Sequence, residues 1–225
     1  MPLLPSTVFT RHYFPGLRLS TGLFYQWPIG IRFDLQGEEP IYLEPGHPGY
    51  SPTERLAYNE PYFREVNHRA SALFHAAVQP DDEIVLVYQK SMYGRHRIRS
   101  RGFLLHQLGI SKAQAAFQKI GPPYLYGFHP ARWVRMNFTA KAAAIPADAI
   151  LAAIANQDFG DRSPVIRGDL FFLNLTRGLI FHMYDDRGLD IIAVDKATLQ
   201  PLFKTYNSWI LDYDRAQVEA AFAGS

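Results

Sequence analysis

Three short apolar runs near the C-terminus, at residues 170–175, 179–184 and 189–194, constrain the fold more than any other feature of the chain. The separators, Thr176-Arg177-Gly178 and Asp185-Asp186-Arg187-Gly188, are of hairpin length and end in glycine, which takes positive φ without steric cost. Runs so closely spaced form an antiparallel meander, since a parallel pair needs a longer crossover. Asp195 then stands where it can cap a helix whose Leu199, Leu202, Phe203, Tyr206 and Ile210 share one stripe. Asp214 is placed to cap a last short helix carrying Val218 and Phe222.

Upstream, residues 29–35 alternate around Arg32 and Asp34 and predict a strand. Residues 36–60 hold four prolines and three glycines and form a long surface loop. Asn59 is positioned to cap a helix entered through Pro61 and running to about Val78, and the continuous Ile84-Val85-Leu86-Val87 reads as a strand covered on both faces. Helical pieces are expected at 103–108 and 111–119, the second stopped by Gly121-Pro122-Pro123, then a strand at 132–139 and a helix at 146–157. The expected class is α+β: one domain over residues 1–225, an antiparallel sheet ending in a three-stranded meander and packed against several helices.

Composition narrows the function. A formal net charge of +2 gives no global pull toward nucleic acid or membrane, so binding by charge must come from a local patch. With no cysteine, the chain has no disulfide, no thiolate metal site and no cysteine nucleophile. Two prolines break the N-terminal apolar run, which reads as no signal peptide, and the aliphatic stretch 142–155 falls short of the ~20 residues of a membrane span. The expected location is the cytoplasm, without membrane contact.

Four constellations could carry chemistry. The acidic turn, Asp185 and Asp186 with Asp190 and Arg187, could gather carboxylates for a divalent metal, although aspartate is also favoured in turns for bonding nearby backbone amides. In the basic segment 94–101, Arg95, Arg97, Arg99 and Arg101 recur at every second position, so an extended chain would project them from one face toward phosphates or acidic side chains. Of the histidines, His68 and His75 fall seven apart on a helix, while His129 and His182 could each be a general base but read better as satisfied structural residues. The aromatic run from Tyr206 to Tyr213 reads as core packing, with Asp212 and Arg215 paired locally. Nucleophile-elbow, phosphate-loop and dinucleotide fingerprints are absent.

The strings Asp158-Phe159, Phe181-His-Met-Tyr-Asp-Asp-Arg-Gly-Leu-Asp190 and Leu199-Gln-Pro-Leu-Phe-Lys-Thr-Tyr-Asn-Ser-Trp-Ile-Leu-Asp-Tyr-Asp-Arg215, with Gly30-Ile-Arg-Phe-Asp34 and Tyr62-Phe-Arg-Glu-Val-Asn-His-Arg-Ala70, resemble a bacterial family catalogued only as a domain of unknown function. The resemblance covers most of the chain and departs in the proline-rich loop and around residues 91–125. A meander followed by a helix is also similar in architecture to the Smi1/Knr4-type immunity superfamily, whose members bind and neutralise toxins without catalysis. That likeness implies a non-enzymatic cytosolic binding protein with a toxin domain as partner. Its expected contact residues are Arg95, Arg97, Arg99, Arg101, Asp185, Asp186 and Arg187, with no catalytic residue, metal or cofactor. The alternatives are a metal-dependent phosphoester hydrolase, with Asp185, Asp186 and Asp190 as ligands and Arg97 or Arg99 on phosphate, or an RNA-binding protein using the arginine segment.

Overall fold

The computed structural model describes residues 3–53, 57–91, 98–99, 102–124 and 132–223. The expected meander forms as β5 (Asp169–Asn174), β6 (Leu179–Met183) and β7 (Gly188–Ala193), and β6 and β7 are buried at every position because both sheet faces are covered. Gly178 takes φ +62 in the first turn, as its place after Arg177 demands. Gly188 has no positive φ; it is needed for space, since a Cβ there would lie 2.7 Å from the carbonyl oxygen of Phe33.

Four further strands complete one antiparallel sheet: β1 (Gly30–Asp34), β2 (Glu83–Ser91), β3 (Ala116–Ile120) and β4 (Trp133–Lys141), in the order β1-β7-β6-β5-β2-β4-β3. The class is α+β. One face carries Ile31, Phe33, Leu86, Phe172, Phe181 and Ile191 and packs against α2 (Glu60–Ala77), α4 (Ala147–Ala155), α5 (Lys196–Thr205) and α6 (Arg215–Phe222). The other carries Val85, Val87, Phe171, Leu173, Ile180 and Ile192 beneath α1 (Pro5–Tyr13), which supplies Phe9, and the following Phe14 and Leu23.

Several expectations are corrected. Residues 5–13, where the sequence predicts no element, form α1, and Pro5 is tolerated in its first turn, where the missing N–H costs no helical hydrogen bond. Residues 111–119 are not a helix: Ser111 and Gln114 form a capping box around a single 3-10 turn, after which β3 pairs with β4 from Ala116↔Asn137 to Ile120↔Trp133. Asn59 donates its side-chain amide to Glu39 and the Pro40 carbonyl and caps nothing, whereas Asp195 does cap α5, accepting from Thr198 N at 2.8 Å. Asp214 precedes α6 without a capping bond, its carboxylate being engaged elsewhere. The stripe assigned to α5 breaks after Thr205, so Ile210 lies extended against Phe33 at the edge of β1, and Tyr213 is 86% exposed. The proline-rich loop is pinned at its neck by a Tyr42↔Tyr58 bridge with stacked rings.

Candidate functional site

Strand polarity brings two charged features to one end of the sheet. Gln89 pairs with Asp169, so the end of β2 lies beside the start of β5 and next to the turn between β6 and β7. At ~4.8 Å per strand, β6 and β2 are about 10 Å apart.

The acidic turn is organised by its own residues. Asp185 accepts from the Arg187 backbone amide at 2.8 Å and from Arg187 Nε at 2.9 Å, with Nη2 closing a fork. Asp186 accepts from the Tyr62 hydroxyl on α2, which in turn accepts from Gln36 Nε2 at 2.8 Å. Burial holds the Asp186 carboxyl above its ordinary range; the Tyr62 bond opposes that and neighbouring Asp185 adds to it. Exposed Asp158 completes the group: one oxygen each from Asp158, Asp185 and Asp186 lie within 4.8 Å of one another, a spacing a divalent cation could bridge. Asp158 sits in the loop after α4, which Arg162 fixes by bonding Asn156 and Glu60 and lying 3.5 Å over the Phe63 ring.

Asp190, expected beside Asp185 and Asp186, is not in this group. It belongs to the opposite face of the sheet, where Arg32 grips it through Nε to Oδ1 at 2.7 Å and Nη2 to Oδ2 at 3.1 Å. The amide of Phe24 adds a bond at 3.2 Å, and Asp214 lies 3.7 Å from Arg32 Nη1 while accepting from Tyr25. Burial opposes the Arg32 charge, but the Asp190 bonds outweigh it and hold the guanidinium firmly protonated. This hub was missed as a unit. Its signal was a charge inside each of two apolar strands, Arg32 in one and Asp190 in the other.

His182 neighbours Asp190 in the same cross-strand row and is completely buried, stacked 4.1 Å from Phe171. It is not the satisfied histidine expected, for neither ring nitrogen has a hydrogen-bond partner among the described residues. Burial, aided by Arg32, pushes its pKa down to about 3, so it is no base at neutral pH. His68 and His75 are exposed on α2, and His129 lies outside the described residues. The Arg215 to Asp212 contact forms as expected at 3.0 Å.

The second feature is a cationic cleft of about 210 Å³ between the end of β2, residues 102–105 and the strand-entry segment 165–167. Lys90, Arg99 and Arg167 line it with Ile98, Phe103, Leu104 and Ile166, and no carboxylate among the described residues does. Gly168, at φ +119, lets the chain approach β2 so closely that a Cβ would lie 2.5 Å from the Gln89 carbonyl oxygen. That approach brings Arg167 beside Lys90, and Tyr88 secures it by donating to the Arg167 carbonyl at 2.7 Å. Burial lowers the Lys90 pKa, and the Arg167 and Arg99 charges lower it further. Arg99 is the member of the expected arginine ribbon placed here; Arg95, Arg97 and Arg101 lie outside the described residues.

Comparison with known proteins now adds kinship. Residues 7–214 match the family described as "Domain of unknown function (DUF3885)". The chain is similar to the uncharacterized protein YnaE of Bacillus subtilis (strain 168), 28% identical over 211 residues that cover 89% of this chain and 94% of that protein. No solved structure matches. No helix among the described residues is long and apolar enough to cross a membrane. The chain belongs to the DUF3885 family.

Proposed function

We propose that this member of the DUF3885 family is a non-enzymatic cytoplasmic binding protein, an immunity protein that neutralises a toxin domain by direct contact. The observation that carries the reading is the gathering of accessible charge at one end of the sheet, with Arg99 and Arg167 exposed at the cleft and Arg187 and Asp158 exposed at the turn. Complementary charge on a partner would speed encounter and fix register, which suits a protein that must find and mask one target. Two of the buried carboxylates suit the same reading, since Asp190 and Asp185 are engaged in ion pairs with Arg32 and Arg187. The architectural likeness to Smi1/Knr4-type proteins supports neutralisation as the purpose, as an analogy of fold.

Co-expression with the product of the adjacent gene tests the proposal. A stable complex and protection from that product are expected, and Arg99→Glu with Arg187→Glu should weaken the complex at least about tenfold, as loss of charge pairs at an interface does. Absence of both complex and protection would remove the reading.

A second reading, metal-assisted phosphoester hydrolysis, is favoured by one observation, the convergence of Asp158, Asp185 and Asp186. Calorimetry with magnesium and manganese decides it: no heat of binding at millimolar metal would reject the mechanism.

A further inference from the structure

We propose that the cleft between Lys90, Arg99 and Arg167 is a binding site for a phosphomonoester, its phosphoryl group held by the three cations and a small apolar body lying on Phe103, Leu104 and Ile166. The proposal goes beyond the protein-binding reading and stands whether or not a toxin docks at this end of the sheet.

The charge, the size and the lining of the cleft all suit this ligand. The first is charge. The side chains of Lys90, Arg99 and Arg167 have no hydrogen-bonded or ion-paired partner among the described residues, and no acid lines the cleft. Two of these cations depress the third, since Lys90 is lowered by burial and then by Arg167 and Arg99. Cations held together without a counter-charge repel one another, and a bound anion relieves that repulsion. A carboxylate would offset one of the three charges, whereas a phosphomonoester carries roughly −1.5 to −2 near neutral pH and offers three acceptor oxygens. Arginine forks suit phosphate geometry, and lysine adds a point charge.

The second is size. A volume of about 210 Å³ lies below the roughly 300–1,000 Å³ typical of pockets for drug-sized ligands and cofactors. That size suits a phosphoryl group carried on a small body. The third is the mixed lining. Leu104 is buried, Phe103 is half-buried, and the Ile166 backbone N–H donates to the Ala153 carbonyl at 2.9 Å, so the cleft that holds the cations also has an anchored apolar wall. Such a wall distinguishes a monoester from inorganic phosphate.

Titration of the full chain with inorganic phosphate, phenyl phosphate and benzoate at constant ionic strength, followed by calorimetry and NMR, tests this. Phenyl phosphate should bind saturably and about tenfold tighter than either inorganic phosphate or benzoate, each tenfold being about 1.4 kcal/mol. Arg99→Ala and Arg167→Ala should each cost about tenfold or more, the scale of a charge-assisted bond, with unchanged near-UV circular dichroism. Lys196→Ala on α5, away from the cleft, should change nothing. The proposal is overturned if phenyl phosphate shows no saturable binding by about 10 mM, well beyond the ordinary ligand range. It is equally overturned if the arginine variants bind it as the parent does, or if benzoate competes on equal terms.

Discussion

Two titratable residues, the fully buried His182 and the half-buried Asp169, tilt stability in opposite directions with pH. Asp169 lies on the same sheet face as His182, accepting from the Tyr124 hydroxyl at 2.7 Å while its second oxygen has no partner among the described residues, and burial raises its pKa to about 6 despite the Tyr124 bond. Against ~3.9 in the unfolded chain, its folded form holds the proton more tightly, so its stabilising effect is complete below pH ~4 and is lost as pH rises through about 6. His182 does the reverse. Its pKa falls from 6.5 to about 3, so stability is lost as pH drops below 6.5, where only the unfolded chain takes the proton. Between pH 4 and 6 each slope amounts to about 1.4 kcal/mol per pH unit, and the two nearly cancel. The contributions of these two groups to the parent's denaturant midpoint should therefore nearly offset each other between pH 4 and 6, so each variant is compared with the parent at pH 4, 5 and 6. Asp169→Asn should lose about 3 kcal/mol on going from pH 6 to pH 4, whereas His182→Leu should gain stability over that interval. A parallel response of the two variants would refute these assignments.

At the scale of elements, the Arg32 hub ties four pieces of chain together: β1, β7, the 3-10 turn at Leu23–Gln26 and the approach to α6. It also guards an edge. Leu211 N donates to the Arg32 carbonyl at 3.0 Å, and Arg215 reaches back to the carbonyls of Asn207 and Ile210, so segment 207–215 covers the outer side of β1. Asp190 is fully buried and the Arg32 side chain is 11% exposed, so breaking the pair strands a charge in the interior. Asp190→Asn should cost about 3–5 kcal/mol, and the double variant Arg32→Met with Asp190→Leu should recover most of it, because an apolar pair of similar size often equals a buried ion pair. Urea unfolding of the three variants measures this, and a double variant no more stable than the single one would show that the hub contributes through geometry beyond its charges. The elements themselves were unequally legible. The meander and the body of α2 announced themselves through sustained periodicity and turn chemistry, which local sequence records. β3 did not, since Ala-Phe-Gln-Lys-Ile becomes a strand only by pairing with β4, and the preceding Ser111-Gln114 box imitates a helix start. The Arg32–Asp190 contact spans 158 positions, and nothing local to either residue names the other. Asp158 joined the acidic group for a similar reason: a loop after α4 delivers it, and loop paths are set by anchors such as Arg162.

At the scale of the whole molecule, topology makes the parts interdependent. The first strand is hydrogen-bonded to the last, and β2 sits between β5 and β4, so no cut in the sequence leaves an intact sheet on one side. Both faces need covers drawn from distant parts of the chain, α1 and Phe14 on one and α2 with the C-terminal helices on the other. A perturbation at one cover should therefore be felt at the other. Phe14 is fully buried against Phe9 and Trp27, and Phe14→Ala should cost about 3–5 kcal/mol through lost burial and the cavity left behind. If the sheet makes one cooperative unit, the loss will shift the unfolding midpoint equally by near-UV and far-UV circular dichroism and by the fluorescence of Trp209, read with Trp27 and Trp133 replaced by phenylalanine, since Trp209 lies beside Tyr206 on the opposite face. Separate midpoints, with Trp209 retaining the parent value while the far-UV signal moves, would mean that the two layers unfold independently. In that case the charged sheet end would owe its shape to the helical layer alone, since Arg167, Asp158 and Tyr62 all reach it from that side.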